Sequence, residues 1–166
     1  MSELPTVDEV RELPAVRTTV VPQSYLDEND HMNIGRYFEE ASTGLWEHAI
    51  ELGLGEDYID GRGLSTFTAE HHITYLNELR LGDQLSVHVR LLERSDKVLH
   101  EMAFVVDDTH DRLACLFEST LVHVDMSARR PTPFPDDIAA VLDAEITRCS
   151  RDWAAPVCGA MGVRRR

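Results

Sequence analysis

The run Asp27-Glu28-Asn29-Asp30-His31-Met32-Asn33 sets a carboxylate and a cluster of small polar groups immediately ahead of a long amphipathic stretch. The start of a helix leaves backbone N–H groups unpaired, with the positive end of the helix dipole behind them, so it can stabilise an anion forming on a carbonyl oxygen. An Asp beside it can supply or activate the attacking oxygen. The chemistry expected here is attack on a carbonyl carbon.

The element that must hold this junction follows at once. Ile34, Tyr37, Phe38, Ala41, Leu45, Ala49 and Leu52 recur at three- and four-residue steps, with Glu39, Glu40, Glu47 and Glu51 mostly between them. This spacing predicts a helix from about Asn33 to Leu52, with one apolar face buried and the glutamates solvated or at a sheet rim. Asp30 or Asn33 can cap it, and Gly53 and Gly55 supply the stop. Glu56 to Gly63 reads as a loop holding one short turn. The period then changes to two: Phe67, Ala69, His71, Ile73 and Tyr75 alternate with Thr66, Thr68, Glu70, His72 and Thr74. Further strands are expected at Leu85 to Leu92, Val98 to Val106 and Leu113 to Val124, joined by the short polar links of antiparallel neighbours. Val16 to Val21 completes the sheet. A second amphipathic helix is expected between Pro133 and Cys149, carried by Phe134, Ile138, Val141, Leu142 and Ile146. The layout is α+β, a long helix covering one face of a curved antiparallel sheet of about five strands. The expected organisation is an N-terminal extension over 1–15, a domain over 16–128 and a C-terminal extension with a helix over 129–166.

Composition narrows the function classes. The chain has 166 residues, 43% of them hydrophobic, enough for one domain with a proper core. Its formal charge of -14 disfavours nucleic acid as a partner, but the charge is uneven: residues 1–125 carry a balance of -16 and residues 126–166 one of +2. Any anionic ligand must therefore meet a few local arginines, and Arg129 and Arg130, just after the last strand, form the best placed pair. No apolar stretch is long enough to span a bilayer, and Met1-Ser2-Glu3-Leu4-Pro5 lacks the basic and apolar character of a leader, so a cytoplasmic location is expected. Cys115, Cys149 and Cys158 have no metal or redox spacing and read as reduced thiols. His71 with His72, and His123 with Asp125, invite a metal reading. Adjacent strand residues point to opposite faces, however, and no ligand spacing links the pairs, so neither a metal nor a cofactor is expected.

Three separated segments carry a resemblance: Leu26-Asp27-Glu28-Asn29-Asp30-His31-Met32-Asn33; Thr74-Tyr75-Leu76-Asn77-Glu78-Leu79 followed by Gly82-Asp83; and His123-Val124-Asp125-Met126 running into Arg129-Arg130-Pro131. In this order they are similar to the hot-dog-fold acyl-CoA thioesterases, specifically the 4-hydroxybenzoyl-CoA thioesterase-like group and, within it, the betainyl-CoA thioesterases. The resemblance covers most of residues 16–128. It implies that Asp27 is the catalytic carboxylate, attacking the thioester carbon or activating water. It also implies that backbone amides of Met32, Asn33 and Ile34 form an oxyanion hole and that the partners are an acyl-CoA and further copies of the chain, as a dimer or tetramer. His31 is expected to orient Asp27 or the loop. The acyl pocket is expected at the dimer interface, with groups near Thr68 or Glu70 supplied by the second chain. Two features depart from the family pattern: Asp30 stands where many relatives carry Gly, and Gly35 where an Asn is common. A quaternary ammonium acyl group would call for aromatic faces, for which Trp46, Phe67 and Tyr75 are candidates. Rival sites are a helix carboxylate among Glu39, Glu40 and Glu47; the rival function of another class is a non-catalytic acyl-CoA-binding or regulatory protein.

Overall fold

The computed structural model describes residues 4–164. A short helix, α1 (Val7–Arg11), leads into β1 (Ala15–Val20), a 3-10 turn (Gln23–Tyr25) and the long helix α2 (Ile34–Glu51). After α3 (Glu56–Arg62) come the strands β2 (Leu64–Tyr75), β3 (Gln84–Arg94), β4 (Val98–Asp107) and β5 (Arg112–Asp125), then the two-residue β6 (Arg130–Pro131) and the helix α4 (Asp136–Arg148). The strands form one antiparallel sheet in the order β1-β3-β4-β5-β2, with β6 added beside the end of β5. This is the hot-dog arrangement: the sheet curls around α2, and β1 and β2 are its edges.

The sheet is buried on both faces, which is why β3, β4 and β5 are nearly continuous in apolar residues. Leu85, Val87, Val89, Leu91, Leu99, Ala103, Val105, Cys115 and Phe117 face inward with Tyr37, Ala41 and Leu45 of α2. Phe134, Ile138 and Leu142 join the same core. The opposite face, carrying Met102, Phe104, Val106 and Leu116, is covered by Val10 and Leu13 from the N-terminal segment and by Cys149 and Trp153.

Helix α2 lies close to the sheet because position 44 is Gly: a Cβ there would come within 2.6 Å of the Val87 side chain. The buried face is rotated from the one read in the sequence. Tyr37, Glu40, Ala41, Gly44, Leu45 and His48 are buried, whereas Ile34 and Phe38 are exposed. Glu40, expected at the surface, receives hydrogen bonds from Arg17 at 2.6 Å, Tyr25 at 2.7 Å and Thr19 at 3.2 Å. Burial alone would raise its carboxyl, but these donors outweigh that and hold it below the usual range. His48 bonds Glu145 of α4 at 2.9 Å. The segment read as a loop at Glu56 to Gly63 is a seven-residue helix, closed by Gly63 at φ 63°.

Candidate active site

The loop ahead of α2 folds back on itself. Leu26 and Met32 form an antiparallel bridge, the Asp27 amide donates to the His31 carbonyl at 3.0 Å, and the Asn33 amide donates to the Tyr25 carbonyl at 2.9 Å. Asp27 is thereby set opposite His31, which lies three residues ahead of the start of α2. Its carboxylate accepts the Asn29 amide at 2.8 Å and lies 3.6 Å from His31 Nδ1, and its side chain is 12% exposed. The sharp reversal needs a residue with φ 58°, and Asp30 occupies it. Asp enters this left-handed region more readily than most side chains, and Gly without strain, which accounts physically for the substitution. Asp30 therefore turns the loop; the helix is capped by Asn33, whose Oδ1 accepts the Gly35 amide at 2.9 Å.

Two of the three amides expected to meet an oxyanion already have acceptors within the chain. The Met32 amide donates to the Leu79 carbonyl at 2.7 Å and the Asn33 amide to Tyr25, so neither is free to meet an oxyanion. Ile34, the first residue of α2, has no acceptor for its amide among the described residues, so of the three it is the donor that remains. The Tyr75 hydroxyl donates to the Ile34 carbonyl at 3.4 Å, and its ring meets Tyr37 edge-on, so Tyr75 stands at this end of the helix.

One turn further along α2, a cavity of about 440 Å³ opens between the helix and the inner face of the sheet. Phe38, Ser42, Leu45 and Trp46 line it from α2, Thr66, Thr68, Ala69 and His71 from β2, Glu101 from β4, and Phe117, Ser119 and Leu121 from β5. Asp27 lines none of the described cavities. Within one chain the carboxylate and the chamber are thus separate features, the first ahead of α2 and the second along it. An exposed apolar stripe, Ile34, Phe38, Trp46 and Ile50, runs along α2 from its first residue, and Phe38 and Trp46 of it line the chamber.

The remaining sequence candidates separate. Trp46 and Thr68 line the chamber. Phe67 does not: a bulge between Thr68 and Glu70 shifts the register, so Phe67 sits opposite Val122 and His71 opposite Ser119, on opposite faces of the sheet. Phe67 instead stacks under the Arg129 guanidinium, 5.3 Å from the ring centroid. Arg130 lies beside Asp125 in β6, and Glu70 pairs with Arg164 at 3.4 Å. By strand rise, Phe67 and Tyr75 are roughly 25 Å apart, so Arg129 is far from its own Asp27. Glu39 pairs with Arg36, Glu47 with Arg17, and Glu40 is enclosed as above, so all three helix carboxylates are committed to structure.

Two of the histidines first weighed as metal ligands, His71 and His123, have other partners. His123 is held between the Tyr58 hydroxyl at 2.7 Å and the Thr132 carbonyl at 2.8 Å, and His71 stacks on Phe117. Two other groups could converge on an ion, His72-Glu118-Cys158 and Asp83-Asp107-His110. Their central carboxylates are already bonded, Glu118 to His100 and the Cys158 amide, Asp107 to His110 and Arg112. Glu101 was missed in the sequence and is the most isolated buried carboxyl of the chamber. It is 4% exposed, forms no hydrogen bond or ion pair among the described residues, and burial pushes its carboxyl up to about 8.

Comparison with known proteins agrees with this architecture. A betainyl-CoA thioesterase from Pseudomonas aeruginosa is 32% identical over 136 residues, covering 80% of this chain and 82% of that protein. An L-carnitine dehydrogenase/betainyl-CoA thioesterase from Ruegeria pomeroyi is 30% identical over 145 residues, but those cover 87% of this chain and only 29% of the relative. Among solved structures, a hypothetical protein from Staphylococcus aureus in complex with CoA superposes with a TM-score of 0.79 at 23% identity, over 90% of this chain and 94% of that one. A 1,4-dihydroxy-2-naphthoyl-CoA thioesterase from Synechocystis gives 0.68 at 12% identity, over 76% and 93%. Residues 21–142 match the model of the thioesterase-like superfamily, and the chain belongs to that family.

Proposed function

We propose that the protein hydrolyses a small acyl-CoA thioester to the free acid and CoA, with betainyl-CoA as the preferred candidate substrate. The observation that carries this reading is the folded-back loop, which sets Asp27 opposite His31 just ahead of α2, whose first amide, Ile34, is uncommitted at the positive end of the helix. Asp27 either attacks the thioester carbon, expelling CoA thiolate and leaving an anhydride that water cleaves, or takes a proton from the water that attacks. In both routes the carbonyl oxygen becomes an anion that the Ile34 amide can stabilise. One such donor is worth about 3 to 4 kcal/mol of barrier. The Asn29 amide holds the carboxylate at 2.8 Å, and His31, 3.6 Å away, is the side chain positioned to orient it.

The site is completed by a second copy. β2 is an edge strand whose residues 67–72 are exposed, and the apolar stripe of α2 lies on the chamber side of the molecule. Antiparallel pairing of two β2 edges about a twofold axis would carry the Phe67–Arg129 end of one chain toward the Tyr75–Ile34 end of the other. This supports a role for Arg129, and Arg130 beside it, in meeting CoA phosphates across the interface, with Thr68 and Glu70 close to the axis. The expected assembly is a dimer, or a tetramer built from two such dimers. Three free thiols suit a reducing compartment, in keeping with a cytoplasmic enzyme, and no described helix is long and apolar enough to cross a membrane.

The test is release of free thiol over a panel of acyl-CoAs. Turnover of small acyl groups well above the buffer rate is the expected result. Saturable binding of acyl-CoA with no thiol release would instead identify a non-catalytic acyl-CoA-binding protein.

A further inference from the structure

We infer that Glu101 is the counter-ion for a positively charged acyl group in the chamber beside α2, and so the residue that selects substrate by charge. This rests on the chamber being the acyl site of the proposed hydrolase. Along β4 the inward series is Leu99, Glu101, Ala103 and Val105, and Glu101 is flanked across the sheet by Leu91 and Ser119. A leucine here could pack as Leu99 does. The carboxyl instead ends in the cavity with no donor from the chain, so its partner must come from what enters the chamber.

The chemistry of the walls says what that occupant is. An anionic acyl group would hold the carboxyl in its neutral form and gain no ion pair, and a purely hydrocarbon one would leave the carboxyl unpaired. An alkylated onium group suits both features, because it needs no hydrogen-bond acceptor in a fixed direction and is attracted to aromatic faces, here Phe38, Trp46 and Phe117. Glu101 supplies the opposite charge at the sheet side. In the empty chamber burial keeps the carboxyl largely protonated near neutral pH. A cation beside it favours the carboxylate, so binding of the cation expels a proton. The walls contributed by α2 and β5 bring only uncharged side chains, β3 brings Leu91 opposite Glu101, and β2 brings one other titratable group, His71.

Two thioether analogues of CoA that cannot be hydrolysed isolate the charge: S-(2-trimethylammonioethyl)-CoA and its isosteric neutral counterpart S-(3,3-dimethylbutyl)-CoA. Calorimetric titration of the wild type, Glu101→Gln and Glu101→Leu at pH 7 in two buffers of different ionisation enthalpy gives affinity and proton release together. The wild type is expected to bind the cation about tenfold or more tighter than the isostere, with proton release for the cation alone. Both variants should lose the preference, and Glu101→Gln should lose the proton release, which assigns it to Glu101 rather than His71. Equal affinities in the wild type, a preference surviving in the variants, or proton release surviving in Glu101→Gln would overturn the assignment. Should the variants fail to fold, the wild type still tests the assignment: equal affinities, or no proton release on binding the cation, would overturn it. Because neither analogue turns over, the result is independent of the thiol-release assay: turnover without charge preference removes this role of Glu101 and leaves the hydrolase, whereas charge preference without turnover does the reverse.

Discussion

The two sides of α2 treat the same residue type in opposite ways. On the β1 side, Glu40 is 2% exposed and receives donors from Arg17, Tyr25 and Thr19, so the space around it is closed. On the β2 side, Glu101 is 4% exposed and receives none, and a cavity of about 440 Å³ lies against it. Burial alone therefore does not distinguish a structural carboxylate from a functional one. The difference lies in whether the fold itself supplies the partners. Where it does, the carboxyl is held low and ties helix to sheet; where it does not, the carboxyl is pushed up and its partner must come from outside.

The largest test of this contrast is to fill the open side. Ser42→Trp places an indole in the chamber and is expected to lower kcat/KM by about 100-fold or more by blocking the acyl group, while thermal unfolding stays close to wild type because the space was empty. A large fall in melting temperature would mean that the chamber belongs to the core. Next is the closed side. Arg17→Met leaves Glu40 buried with fewer donors and should cost about 2 to 3 kcal/mol by denaturant titration, less than a fully buried pair because Arg17 keeps 26% side-chain exposure. Substrate KM should not move. The last test is the pH dependence of stability at Glu101. Its folded-state carboxyl, near 8, lies above the ordinary 4.5, so the unfolded chain ionises first, and the wild type loses stability as pH rises through that interval. Glu101→Gln removes this loss. The melting temperature of the variant minus that of the wild type should therefore be more positive at pH 8 than at pH 5, and an unchanged difference would show that Glu101 is ionised and paired in the folded protein.

The sequence was most legible where local rules decide the outcome. The strands near 85–92, 98–106 and 113–124, the extent of α2 and its Asn33 cap all follow from period and cap chemistry, and the structure places them within a few residues of those expectations. The errors come from partners distant in the chain. Glu40 and His48 are buried because Arg17 and Glu145 lie against them, and nothing within the helix says so. Phe67 leaves the chamber because of a bulge whose position is set by pairing with β5. Met32 and Asn33 lost their oxyanion role to the carbonyls of Leu79 and Tyr25, contacts that the helix start alone does not reveal. Glu101 had a signal, a single carboxylate in the inward series Leu99, Ala103, Val105. It was masked because β4 is apolar on both faces, so neither face stood out as the one that matters.

At the centre of the account is Asp27 acting beside the Ile34 amide, and free-thiol release from betainyl-CoA by the wild type and by Asp27→Asn, measured on the same folded preparations, addresses it most directly. The account predicts steady turnover by the wild type and a fall in kcat of about 1,000-fold or more in the variant, with little change in melting temperature. Equal turnover by the two proteins would contradict it.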